Sequence, residues 1–136
     1  MGEILSHPIS DLVARPAVTV DEGATLRGTA HRLWSESVGA AVVVRNDRPV
    51  GIVSERDIVD ALAGGADPDT FTAGEMMTPQ MLVASPHDRV LTAAIDMIDR
   101  EIRHLPLFDD AGRCTGVVSM RELVRPMLVD ALDPGS

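Results

Sequence analysis

The chain has 136 residues, 45% of them hydrophobic, and a formal net charge of −9, which suits one ordinary domain or two small lobes with a packed core. The acidic balance disfavours nucleic acid and anionic membranes as partners, because phosphate binding needs a basic surface, but it leaves room for a local basic pocket. The single cysteine, Cys114, excludes an internal disulfide and a cysteine-based zinc cluster. No secretory signal and no apolar stretch of membrane-spanning length is present, so we expect a cytoplasmic protein.

The first half of the chain predicts the order strand, helix, strand, strand, helix. Apolar residues at helical spacing indicate one buried helix face, made by Leu26, Ala30, Leu33, Trp34 and Val38. Two apolar stretches follow this helix, and residues 45–48 between them have the composition of a turn. The predicted strands are Val18–Val20, Ala40–Val44 and Pro49–Val53, and the last helix is Glu55–Ala63.

The second half repeats this order. The apolar helix face returns 64 residues later as Val90, Ala94, Met97, Ile98 and Ile102. Gly51–Val59 returns as Gly116–Val124 after a turn that is one residue longer. The predicted strands are Met81–Val83, Leu105–Phe108 and Cys114–Val118, and the last helix is Met120–Leu132. An internal repeat of this kind fixes the architecture before any single motif is considered.

These elements predict an α+β fold of two β-α-β-β-α repeats packed around a pseudo-two-fold axis. The expected boundaries are residues 7–65 for the first repeat, 66–74 for a linker and 75–132 for the second repeat. Thr72–Glu75 has the pattern of a capping box that opens a short helix. Neither repeat alone would easily bury its sheet, so we expect the two to pack against each other.

The order and duplication of three motifs resemble a tandem pair of cystathionine-β-synthase (CBS) domains, known as a Bateman module, of the stand-alone bacterial type. The motifs are Glu75–Pro79, Ile102–Leu107 and the two Gly-x-x-Ser-x-x-acid sequences. The resemblance covers residues 7–128. It implies a regulatory module that binds AMP, ADP or ATP, with S-adenosylmethionine or NAD less expected, in a cleft between the repeats. It further implies a homodimer, a separate and unidentified regulated protein, no required cofactor and no catalysis.

In the first repeat, Ser54 and Asp57 match the family positions that hold a nucleotide's ribose. An ionised Asp offers two acceptor oxygens to the two ribose hydroxyls. The same Ser-x-x-acid pattern is close to a capping box, so the residues alone leave a helix cap and a ribose clamp both open. In the second repeat, Ser119 and Glu122 take these positions, and the longer Glu side chain makes a weaker second site.

Basic residues that match the family's phosphate-facing positions open a strand of the second repeat. These are Arg103 and His104, whereas the first repeat has Gly39 and Ala40 there. Arg supplies a fork of donors for phosphate oxygens, and His adds a donor that can be charged. A solvent-exposed Arg and a satisfied surface His are the alternative. Arg56 can reach a phosphate of the first site and Arg121 one of the weaker site, or each can pair with a nearby acid.

The expected adenine pocket comprises Val18, Ala41 and Pro106, although apolar strand residues are core residues by default. The resemblance implies that the ribose and phosphate groups of one site come from opposite repeats. Asp57 with Arg103 and His104 would then form one complete site per chain. No histidine spacing indicates a metal site, and no motif indicates a nucleophile. A dimeric interaction scaffold, in which both Ser-x-x-acid motifs are only caps, is the alternative function.

Overall fold

A computed structural model describes residues 2–13, 15–79 and 83–132 of the chain. Its elements, in chain order, are α1 (Gly2–Ser6), β1 (Thr19–Asp21), α2 (Leu26–Glu36), β2 (Ala40–Arg45), β3 (Arg48–Ser54), α3 (Glu55–Ala63), α4 (Ala73–Met76), α5 (Val90–Asp99), β4 (His104–Phe108), β5 (Cys114–Ser119) and α6 (Met120–Leu132). A 3₁₀ turn, Ile9–Leu12, follows α1. The chain forms two compact units. The first-repeat unit is Ala17–Met81, and the second-repeat unit is Met1–Pro16 together with Leu82–Ser136.

The first-repeat unit is built on the three-stranded sheet β1-β2-β3. β1 lies parallel to β2 and β2 lies antiparallel to β3, as a crossover through α2 and a tight turn require. Asn46 and Asp47 both have positive φ, 50° and 64°, the backbone of the two-residue turn that matches strand twist. The strand-helix-strand-strand-helix order predicted for this repeat is confirmed.

The second-repeat unit contains the antiparallel pair β4-β5. The predicted strand Met81–Val83 falls partly outside the described residues, since Met81 and Leu82 are not described. Val83 is not in a strand, and the parallel pairing at this place is a single bridge between Ala84 and Leu107. The amide of Phe108 donates to the Ala84 carbonyl at 2.9 Å, so the chain still runs parallel beside β4 here, as β1 runs beside β2.

The predicted buried helix faces need one correction in each repeat. Trp34 is 76% exposed and its repeat equivalent Ile98 is 65% exposed. The buried stripe of α2 instead runs through Leu26, Thr29 and Leu33. Trp34 on α2 and Ile98 on α5 lie at one edge of the apolar face predicted for each helix, on the side away from the buried residues.

The helices α2 and α5 end before the last residues of their predicted apolar faces, Val38 and Ile102. Ser37 and Glu101, at equivalent positions, have φ of 55° and turn the chain out of each helix. The next amides, of Val38 and Ile102, donate to carbonyls five residues back at 3.0 Å, which is the Schellman pattern. Val38 and Ile102 still pack against the apolar core of their units, which is why they follow the helical spacing.

Each repeat begins with a segment that packs in the other unit. Ile9 is fully buried among the apolar residues of the second-repeat unit, and its amide donates to the Asp88 carbonyl at 2.6 Å. Its equivalent Ala73 is fully buried in the first-repeat unit and donates to the Ala24 carbonyl at 2.7 Å. Packing therefore divides the chain differently from the predicted boundaries 7–65, 66–74 and 75–132, which follow the sequence repeat.

Two equivalent glycines make room for these leading segments. A Cβ on Gly116 would lie 2.5 Å from Val13 Cγ1, and a Cβ on Gly51 would lie 2.6 Å from Met77 Sδ and 2.8 Å from the Thr78 carbonyl oxygen. Such distances are far inside van der Waals contact. The glycines of the two Gly-x-x-Ser motifs are thus explained by packing within each unit.

Candidate functional site

The Ser54 and Asp57 side chains meet at the junction of β3 and α3. The Asp57 carboxylate oxygen Oδ2 accepts from the Ser54 amide at 2.8 Å and from the Ser54 hydroxyl at 3.1 Å. In return, the Asp57 amide donates to Ser54 Oγ at 3.4 Å. The pair is thus a capping box, with both residues half-buried. The other oxygen, Oδ1, accepts no hydrogen bond among the described residues and remains available to an incoming hydroxyl.

Ser119 and Glu122 form the equivalent junction between β5 and α6. Glu122 Oε1 accepts from the Ser119 amide at 3.1 Å, and the Glu122 amide donates to Ser119 Oγ at 3.0 Å. Both Ser-x-x-acid motifs therefore cap a helix. The two junctions differ in one respect, since the Ser54 hydroxyl donates to Asp57 whereas the carboxylate of Glu122 accepts only the amide bond among the described residues.

The first amides of α3 and α6 are less available to an anion than the sequence suggests. The Glu55 amide donates to the Gly39 carbonyl at 2.9 Å, and the Met120 amide donates to the Arg103 carbonyl at 2.7 Å. With the Asp57 and Glu122 amides bonded to the capping serines, two of the first three amides of each helix have partners. Sequence patterns did not identify these bonds, because they depend on the strand two elements earlier.

The basic pair lies at the start of β4, beside the second capping box. His104 is directly opposite Ser119 in the β4-β5 ladder, and the Arg103 carbonyl holds the first amide of α6. Arg103 is exposed and His104 half-buried. The Arg103 guanidinium makes no ion pair among the described residues, so its donors are available to a phosphate. In the first-repeat unit the corresponding place is taken by Ala40, opposite Ser54.

Arg56 and Arg121 occupy the second position of their helices and are both exposed. Neither pairs with an acid among the described residues, which removes the alternative that each is held by a neighbouring carboxylate. Their guanidinium groups supply the donors that a phosphate contact needs. Their contact with a ligand stays a prediction.

The three residues expected around an adenine are all buried. Val18 and Ala41 are 8% and 0% exposed and belong to the apolar core of the first-repeat unit. Pro106 is also fully buried, within β4. The geometry agrees with the core interpretation of Val18 and Ala41, and an adenine contact for any of the three stays a prediction.

The predicted site residues thus fall into two groups of known internal geometry. The first-repeat unit holds Val18, Ala41, Ser54, Arg56 and Asp57, and the second-repeat unit holds the remaining residues, Arg103, His104, Pro106, Ser119, Arg121 and Glu122. The described residues contain no group of three His, Cys, Asp or Glu side chains that could hold a metal ion.

Comparison with known proteins identifies this architecture. A sequence model of the CBS domain matches residues 9–64 and 73–128. The chain belongs to the CBS-domain family. The two matched segments start at the equivalent residues Ile9 and Ala73, so each family repeat includes the leading segment that packs in the other unit. An uncharacterised protein of Methanopyrus kandleri is 30% identical over 94% of this CBS-domain chain and 67% of its own length.

Two solved structures show the same CBS-pair fold. A CBS domain protein from Pyrobaculum aerophilum, complexed with AMP, is 35% identical, with a TM-score of 0.81 over 92% of this chain and 98% of its own. The CBS domain pair of protein MJ0100, in complex with 5'-methylthioadenosine and S-adenosyl-L-methionine, is 25% identical, with a TM-score of 0.83 over 90% of this chain and 97% of its own. These likenesses confirm the predicted α+β fold of two repeats. No helix among the described residues is long and apolar enough to cross a bilayer.

Proposed function

We propose that this CBS pair is a regulatory module that binds an adenosine-containing nucleotide of the AMP, ADP or ATP class. The open oxygen of Asp57 is the observation that carries the proposal. One carboxylate oxygen holds the cap of α3 and the other remains an acceptor, so capping and ribose binding need not compete. Structures of two similar CBS pairs contain adenosine compounds, which supports the same ligand class here.

In this proposal Ser54 and Asp57 hold the ribose, and Arg103, His104 and Arg56 face the phosphates. Val18, Ala41 and Pro106 line the adenine pocket. Ser119, Arg121 and Glu122 form a weaker second site, because the carboxylate of Glu122 lies one methylene further from its backbone than the carboxylate of Asp57 does. We therefore propose one competent site per chain, which titration calorimetry tests through its stoichiometry. The pair itself catalyses no reaction and requires no cofactor, and S-adenosylmethionine and NAD are the less favoured ligands.

Thermal unfolding with AMP, ADP, ATP, S-adenosylmethionine and NAD tests ligand binding. A ligand at 100 times its dissociation constant stabilises the folded state by about 2.7 kcal/mol. The matched pair of variants is Asp57→Ala and Glu122→Ala. Both remove the acid that accepts from the N-cap amide of a capping box and should lower the free energy of unfolding by about 0.5–1.5 kcal/mol. Asp57→Ala alone should also abolish the ligand-induced shift. Equal shifts in both variants would contradict the ribose role.

A dimeric interaction scaffold without a nucleotide is the second candidate. The observation that favours it is that both Ser-x-x-acid motifs do form caps. It predicts no stabilisation by any of the five compounds and equal effects of Asp57→Ala and Glu122→Ala. We further propose that the chain forms a homodimer, acts on a separate regulated protein and works in the cytoplasm. Sedimentation velocity tests the dimer directly.

A further inference from the structure

We propose that α6 is a hinged helix in which Pro126 divides a fixed part from a movable one. Residues 120–125 are fixed to the strands of the second-repeat unit. Residues 127–132, the C-terminal arm, open from this unit as a separate segment while the rest of the unit stays folded. The inference depends neither on nucleotide binding nor on dimer formation.

Pro126 interrupts the backbone hydrogen bonds of α6. The residue lies inside this helix, and proline has no backbone N–H to donate. The carbonyl of Glu122, four residues earlier, therefore lacks the hydrogen bond that an amide at position 126 would donate, and the proline ring crowds this carbonyl. Sharp bends in helices occur at such positions. Pro126 thus has the properties of a hinge.

The part of α6 before the hinge is held by contacts of its own. The Met120 amide donates to the Arg103 carbonyl at 2.7 Å. The Ser119 amide donates to Glu122 Oε1 at 3.1 Å, and the Glu122 amide donates to Ser119 Oγ at 3.0 Å. Leu123 is 1% exposed and packs in the apolar core of the second-repeat unit. None of these hydrogen bonds involves the C-terminal arm, so the start of α6 stays fixed when the arm opens.

The C-terminal arm is packed less firmly than the start of α6. Leu128, Val129 and Leu132 are 57%, 62% and 85% exposed. Met127 packs, partly buried, against the apolar core of the unit, and Asp130 is half-buried and has a partner. Opening the arm therefore breaks mainly the contacts of Met127 and Asp130. A segment with few buried contacts opens at a low free energy while the core stays folded.

The first repeat provides an internal comparison. Ala61 is the equivalent of Pro126, and α3 ends at Ala63, the equivalent of Leu128. Gly64 is the C-terminal cap of α3. This helix thus has neither the proline nor the additional turn that follows Leu128 in α6. The proline and the extension occur together in one helix, and the repeat fold forms without either of them.

Movement of the arm changes which apolar surface of the second-repeat unit is exposed. In the closed arm, Met127 covers part of the apolar core, and opening uncovers that part. The capping box precedes the hinge, so Ser119 and Glu122 keep their hydrogen bonds in both states. The arm is therefore a conformational device that exposes an apolar surface without disturbing the junction of β5 and α6.

Hydrogen exchange followed by NMR tests the hinge, because Pro126→Ala restores the missing donor. In the wild-type chain, the amides of residues 128–132 should exchange at least about 100-fold faster than the Leu123 amide. Low concentrations of urea should leave the arm's rates unchanged, since a local opening exposes little surface. Pro126→Ala should slow exchange in the arm by at least about 10-fold, because alanine is strongly favoured over proline inside a helix.

Arg125→Ala is the matched control. Arg125 is exposed, and its replacement changes the neighbouring side chain without adding a backbone donor, so the arm should exchange at the wild-type rate. If Pro126→Ala does not slow the arm, its exchange is ordinary fraying of a helix end and the hinge is overturned. Equal slowing by Arg125→Ala also overturns it. A wild-type arm that exchanges as slowly as Leu123 overturns the separate opening.

Discussion

Gly116 and Val13 offer a quantitative test of how the N-terminal segment packs. A Cβ added at Gly116 would lie 2.5 Å from Val13 Cγ1, 3.2 Å from Cγ2 and 3.4 Å from Cβ, against about 3.5–4.0 Å for ordinary carbon contacts. Relief requires a shift of about 1 Å. Overpacking of this kind costs about 1–3 kcal/mol, while replacing a strand glycine by alanine returns about 0.5–1 kcal/mol. We expect Gly116→Ala to lower the free energy of unfolding by about 1–2 kcal/mol.

The obstacle at Gly116 is a side chain, so deleting it should restore stability. Val13→Ala alone should cost about 1 kcal/mol, because Val13 is half-buried. The double variant Gly116→Ala/Val13→Ala no longer has the contact between the added Cβ and Val13 Cγ1. In a double-mutant cycle, the coupling free energy between the two positions should be about 1–2 kcal/mol in the stabilising direction. Urea unfolding followed by circular dichroism measures all four proteins of the cycle.

Gly51 supplies the contrasting case. There the added Cβ meets Met77 Sδ at 2.6 Å and also the Thr78 carbonyl oxygen at 2.8 Å, and this carbonyl accepts from the Ile52 amide at 3.2 Å. Met77→Ala removes only the first obstacle. Gly51→Ala should therefore be rescued in part, whereas Gly116→Ala is rescued fully. No coupling between Gly116 and Val13, or equal rescue at both glycines, would refute the packing argument.

Three further predictions concern individual side chains. Thr29→Val should raise the free energy of unfolding by about 1 kcal/mol in urea unfolding, because the fully buried Thr29 hydroxyl has no hydrogen-bond partner among the described residues. Ser37→Gly and Glu101→Gly should each raise the melting temperature, since φ of 55° costs a residue with a side chain about 1 kcal/mol. The hydrogen bond from Arg27 lowers the pKa of Asp69. The stabilisation from this pair is therefore present above the ordinary Asp pKa and is lost as the pH falls through the lowered value. Arg27→Leu should raise the Asp69 pKa, as measured by NMR titration.

The internal repeat made the order of elements predictable. Helical spacing located α2 and α5 within a few residues, and the bounds of α3 and α6 agree with those predicted. Helical spacing alone extended α2 to Val38, because it does not register a helix end formed by a serine with positive φ. It also placed Trp34 on the buried face, whereas this side chain is exposed. Glycine is the expected residue there, and neither Ser37 nor Glu101 signals such a turn.

The candidate site was predictable at the level of residue types and less so at the level of roles. The Ser-x-x-acid pattern predicted both a cap and a ribose clamp, and the distances around Asp57 show the cap while leaving one oxygen open. The position of His104 opposite Ser119 depends on strand register, which local sequence does not specify. The grouping of Ile9 with the second-repeat unit depends on contacts about 80 residues apart, which no periodicity encodes.

The exchange of leading segments has a consequence for synthesis on the ribosome. Ala17–Met81 is contiguous, so this unit can complete its packing as soon as its last residue leaves the exit tunnel. Ile9, which the second-repeat unit buries completely, is synthesised before α5 and β5 and packs only after both have followed. During that interval the short apolar stretch around Ile9 is exposed. Packing of the second-repeat unit therefore joins segments that are synthesised about 80 residues apart.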